Sequence, residues 1–118
     1  MNMIRILSEN AALGKRLYEI LYPAGFADLS VSDLSAMPPA KPGEIRILYA
    51  KTHITDLFRQ AETSGAQVIL LLNPDCYARY LDTARHAGVR LLLIPVTPDA
   101  LLDAVREAEE AICDRQRG

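Results

Sequence analysis

The sequence predicts an α/β domain with helices packed on a five-stranded parallel sheet, and three observations carry that expectation. First, short apolar runs alternate with helix-period segments along the 118 residues, a length that suits one domain. Second, Val68-Ile-Leu-Leu-Leu72 is apolar without alternation, the pattern of a parallel strand covered on both faces. Third, the segment from Gly88 to Arg106 reads as a buried strand, a proline turn and a capped amphipathic helix. Together they point to the flavodoxin-like strand order 2-1-3-4-5.

Each element has its own signal. Ile4-Arg-Ile-Leu7 is a short apolar strand. Residues 10–22 place Leu13, Leu17, Ile20 and Leu21 on one helical face, and Pro23 and Gly25 end that helix. Residues 26–31 read as the second strand. Pro38, Pro39, Pro42 and Gly43 crowd residues 32–43, so the second helix is expected to be short or replaced by a proline-rich loop. Residues 45–50 form the third strand. A helix over 53–63 turns Ile54, Leu57, Phe58 and Ala61 inward, with Gly65 closing it.

Asn73-Pro74-Asp75 opens the next helix, with Asn at the N-cap, Pro in the first turn and an acid facing the helix dipole. That helix runs to His86, and Gly88 ends it. Residues 91–94 are the fifth strand. Thr97-Pro98-Asp99 repeats the capping logic, and the last helix lines up Leu101, Val105, Ala108 and Ile112. Residues 1–113 are expected to form the domain. Residues 114–118 are expected to be a frayed polar tail or the start of a linker.

Composition excludes several functions. Thirteen basic against fifteen acidic residues give a net charge of -2, so no nucleic-acid contact by this domain is expected. No apolar run reaches the roughly 20 residues of a membrane span, and no signal-peptide pattern opens the chain. A cytoplasmic protein away from membranes is expected. Cys76 and Cys113 form no CxxC pair and are expected to be reduced, partly buried thiols. Glycine-rich phosphate loops, HExxH and GxSxG are absent, so no enzymatic activity, cofactor or metal is expected.

Over essentially its whole length the chain resembles the receiver domains of response regulators. Glu9 to Gly25 matches the family spacing from the second acid after strand one to the glycine after helix one. Asn73 to Gly88 is close to the spacing from the strand-four Ser/Thr to the glycine after helix four. Ile94-Pro95 falls where receivers carry Lys-Pro, and the resemblance implies a cis bond there.

Receiver chemistry needs two acids after strand one, an acceptor aspartate ending strand three, a Ser/Thr ending strand four and a lysine ending strand five. Here the acid pair reads Ser8-Glu9, the third strand ends Tyr49-Ala50-Lys51, Asn73 replaces the hydroxyl and Ile94 the lysine. Neither alanine nor tyrosine replaces a carboxylate nucleophile, and Mg²⁺ is rarely held by a single carboxylate. Leu91 and Leu92 stand where the switch aromatic is expected. The chain is therefore similar to atypical, or pseudo-, receivers, which use the fold for dimerisation or docking, often ahead of an effector domain.

That resemblance implies a phosphorylation-independent signalling module with a protein partner, foremost a second copy of itself. A transcriptional regulator is one protein in which such a domain would sit. The expected surface is the helix beginning at Asn73, the fifth strand and the last helix: helix four, strand five and helix five in receiver terms. Its candidates are Tyr77, Tyr80, Arg85, Leu92, Arg106 and Glu110, since tyrosine and arginine are favoured at interface centres. The alternative is a small molecule or anion at the carboxyl ends of the strands, met by Glu9, Asn10, Lys51, His53 and Thr97.

Plainer readings stand beside these. Glu9 is also a first-turn helix acid, Asn73 an N-cap, and Lys51 either a solvated cation or a partner for Glu9. His53 and His86 have no second ligand at metal spacing.

Overall fold

The chain alternates strands and helices: β1 (Ile4–Ser8), α1 (Ala11–Leu21), β2 (Leu29–Asp33), β3 (Ile45–Tyr49), α2 (Ile54–Thr63), β4 (Gln67–Leu72), α3 (Pro74–Ala87), β5 (Arg90–Leu93) and α4 (Pro98–Arg117). The computed structural model describes residues 3–26, 28–36, 41–52, 54–63 and 65–117. The five strands form one parallel sheet in the order β2-β1-β3-β4-β5, the expected flavodoxin-like topology.

Successive side chains of a strand point to opposite faces, and this sorts the core into two layers. Ile4, Ile6, Ile45, Ile47, Tyr49, Ile69 and Leu71 cluster with Leu17 and Leu21 of α1 and with Leu101, Val105, Ala108 and Ile112 of α4. On the other face Leu7, Leu48, Val68, Leu70 and Leu72 cluster with Ile54, Leu57 and Phe58 of α2 and Ala84 of α3. The apolar run that marks β4 is buried from end to end. Gly14 lets α1 settle on the sheet: a Cβ there would lie 3.1 Å from Val31 Cγ1 and 3.6 Å from Ser8 Cβ.

The second helix is reduced to a 3₁₀ turn over Leu34–Ala36. Pro38 and Pro39 lie outside the described residues. The Asp33 carboxylate accepts the Ser35 N–H at 2.8 Å. Hydrogen bonds from the Ser35 side chain and backbone hold that carboxyl below the usual carboxylate range. Among the described residues no regular helix follows β2, and the β2 residues that alternate away from α1, Ser30 and Ser32, are polar, as is Arg5 beside Ser30 on β1.

β1 and β3 carry the same tetrapeptide, Ile-Arg-Ile-Leu, and pair in register, Ile4 with Ile45 through Leu7 with Leu48. Two arginines therefore lie side by side. Glu44, 3% exposed, forms ion pairs with the Nε of both Arg5 and Arg46, the latter at 3.4 Å. Its Oε2 also accepts the Lys41 N–H at 2.9 Å. At the opposite edge Arg90 donates to Gln67 Oε1 at 2.7 Å and to the Glu107 carbonyl at 3.3 Å. Arg90 Nε lies 3.5 Å from the Glu107 carboxylate, so one side chain ties β5 to β4 and α4.

Several boundaries differ from expectation. The second strand spans residues 29–33 instead of 26–31, because the turn after α1 continues through Gly25, whose φ is +103°. Phe26 donates its N–H back to the Leu21 carbonyl at 3.3 Å and packs on the core from that turn. The fifth strand runs one residue earlier, over 90–93. α4 continues through Arg117, so residues 114–117 are helical; arginine and glutamine are good helix formers. Gly88 ends α3 as expected, at φ +71° with the Val89 N–H reaching the Ala84 carbonyl at 2.9 Å.

Candidate functional site at the carboxyl ends of the strands

The loops leaving β1, β3, β4 and β5 converge above the sheet. Ser8 is buried; its hydroxyl donates to the Asn10 carbonyl at 2.8 Å and accepts the Asn10 N–H at 3.0 Å. Asn10 is the N-cap of α1, its Oδ1 accepting the Leu13 N–H at 3.1 Å. Glu9 precedes that cap and is not in the first turn of α1. Its N–H donates to the Tyr49 carbonyl at 3.1 Å, and its Oε2 accepts the Lys51 N–H at 3.0 Å. Lys51 thus meets Glu9 through its backbone and not through its ammonium group. Ser8 and Glu9 serve here to knit loops together.

Tyr49 and Ala50 point to opposite faces. Ala50 is buried in the α2/α3 layer, whereas Tyr49, 4% exposed, is rooted in the α1/α4 layer. Asn73 precedes α3 with extended backbone, but its side chain makes no capping bond. Its carbonyl instead accepts the N–H groups of Cys76 and Tyr77, both at 3.0 Å. The expected cap at Asn73 is therefore a backbone cap. The Ile94-Pro95 bond is cis. Thr97 Oγ1 accepts the Ala100 N–H at 3.2 Å at the start of α4, which confirms its capping role.

Asn10, Leu13, Tyr49, Asn73, Ile94 and Pro95 line a cleft of about 340 Å³. Among the described residues its lining carries no formal charge. The alternative ligand rim is brought together only in part: Asn10 lines the cleft, Glu9 and Thr97 are engaged by backbone N–H groups, and His53 lies outside the described residues. Among the described residues no group of three or more His, Cys, Asp or Glu is placed to hold a metal ion. His86 Nδ1 lies 2.9 Å from the Asp82 carbonyl of its own helix.

The expected interface candidates occupy the α3–β5–α4 face with unequal freedom. Tyr77 and Tyr80 are half-buried, and Tyr80 packs on Phe58 with ring centroids 5.6 Å apart. Arg85 is exposed and lies 4.0 Å from Asp82, one turn back. Leu92 is half-buried against the core, while Arg106 and Glu110 are exposed. Sequence reasoning missed Leu93, which is 45% exposed on the edge strand. Its signal was available: a leucine run on the last strand of a sheet cannot be covered along its outer edge. Cys76 is half-buried, but Cys113, expected to be partly buried, is exposed; both are free thiols. No helix of the described residues is long and apolar enough to cross a membrane.

No family model matches this sequence, and no curated protein does. Solved structures do share the fold. An adenylate cyclase from Rhodopirellula baltica superposes with a TM-score of 0.75 at 14% identity, over 95% of this chain and 90% of that one. A protein from Burkholderia pseudomallei K96243 described as related to pilus assembly gives 0.73 at 23% identity, over 93% and 90% of the two chains. Full-length FixJ from B. japonicum gives 0.71 at 21% identity; the match covers 93% of this chain but 60% of FixJ. The fold is receiver-like.

Proposed function

We propose that this chain is a phosphorylation-independent regulatory module that works by protein–protein contact and performs no catalysis of its own. The observation that carries the reading is the fate of the phosphorylation positions. Ala50 and Tyr49 offer no acceptor carboxylate, Ile94 offers no cation, and the one acid present, Glu9, is bound to the Lys51 N–H. A domain that keeps the architecture and gives up this chemistry has its surfaces left to act through.

The α3–β5–α4 face is the surface we assign to docking, with a second copy as its first partner. Leu93 supplies exposed apolar area on an edge strand, and Arg85, Arg106 and Glu110 are exposed on the helices that precede and follow that strand. Exposed ion pairs contribute little singly, so the apolar strip provides most of the affinity and the charges set orientation. A two-fold arrangement would bring the same patch from each copy together. Full-length FixJ, longer than this chain, offers a precedent for this fold within a larger protein.

Sedimentation of the full chain tests the assignment. The wild type is expected to dimerise, and Leu93→Asp or the pair Arg85→Glu with Arg106→Glu is expected to leave monomers of unchanged stability. A dimer that survives all three changes would remove this face from consideration.

A further inference from the structure

The cleft above β3 contains polar groups that the protein itself does not use. Tyr49 is 4% exposed, yet among the described residues its hydroxyl has no hydrogen-bond partner, and it is not one of the buried atoms cut off from solvent. Asn73 makes no side-chain capping bond, and Asn10 spends only its Oδ1 on the Leu13 N–H. A phenol and two primary amides thus line one concavity with donors and acceptors to spare. The hydroxyl is reachable from the cleft, so a ligand offering complementary groups can pair with it.

The walls define the ligand further. Leu13, Ile94, Pro95 and the Tyr49 ring are apolar and would pack against a flat ring. Among the described residues no lysine, arginine or histidine lines the cleft, so a phosphate or carboxylate would lose its hydration without compensation from them. Lys51, the cation of the neighbouring loop, is not part of the lining. The volume of about 340 Å³ lies at the small end of ligand sites.

We infer that this cleft binds a small uncharged heterocycle of nucleobase size, one with hydrogen-bond donors and acceptors side by side on its edge. The Tyr49 hydroxyl and the Asn73 and Asn10 amides read that edge, and Leu13 and the Ile94-Pro95 turn pack against one face, the other being open to solvent. The site stands where receivers take phosphate, but its chemistry is neutral. It goes beyond the docking role and does not depend on which face the partner uses.

The test is an NMR titration of the isotope-labelled full chain with uracil, with adenine and, as the charged comparison, with inorganic phosphate. One base is expected to give saturable shifts at millimolar concentration in the Asn10 and Asn73 side-chain amides and around residues 49 and 94. Phosphate is expected to give none. Tyr49→Phe removes only the hydroxyl and is expected to weaken binding roughly tenfold. Its ligand-free melting temperature should stay equal to or above that of the wild type, because the hydroxyl has no partner to lose. Silence towards both bases, equal shifts with phosphate, or a destabilised ligand-free Tyr49→Phe would each overturn the inference.

Discussion

Asn10 and Asn73 stand at the same position ahead of α1 and α3, but only Asn10 lends its side chain to the helix. The Asn73 carbonyl already takes the Cys76 and Tyr77 N–H groups, so its amide is spare. Replacing a working N-cap by alanine costs about 1 kcal/mol. Asn10→Ala is therefore expected to lose about that much in urea denaturation, and Asn73→Ala less than about 0.5 kcal/mol. Equal losses would return Asn73 to the role its sequence suggests. The Asn-Pro-Asp string is a sound start signal, and it placed α3 correctly. It could not reveal whether the side chain or the main chain makes the cap, because that choice is one of rotamer and not of composition. Asn10 was legible three residues before Leu13, but its place beside the acid-pair positions drew it into the ligand rim instead.

The β1–β3 ladder shows the same limit at the level of elements. Apolar runs announced both strands, and the structure places them where expected. The repeated Ile-Arg-Ile-Leu went unread as a pairing signal, although identical strands in register must set like charges abreast. Glu44 resolves the conflict from just outside β3, between Arg5 and Arg46. Removing one member of a buried ion pair costs about 3–5 kcal/mol, since the remaining charge is stranded. Glu44→Ala is expected to fall in that range by chemical denaturation. A loss below about 1 kcal/mol would mean that both guanidinium groups find water or another partner without it. The second strand was misplaced for a related reason: its edge position allows serines and an aspartate where a central strand would have none, so periodicity marked it weakly.

The topology of the whole molecule was legible because alternating strands and helices admit few arrangements. The cleft was not, because Tyr49 and Asn73 become neighbours only through the sheet. The phosphorylation positions make one expectation global. With Mg²⁺ and beryllofluoride the amide spectrum is expected to stay unchanged around residues 8–10, 50–51, 73 and 94, whereas a working receiver would shift there. Saturable shifts at those residues would replace the phosphate-independent reading with a ligand-gated one. The reduction of the second helix to a 3₁₀ turn also leaves its mark on the energy landscape. β2 pairs with β1 alone and rests on α1, with no regular helix of the described residues on its other side. Opening it would leave the four strands β1, β3, β4 and β5 paired. Local unfolding draws on edge units of this kind, and β2 is the strand at which the sheet can open while its other pairings stay intact.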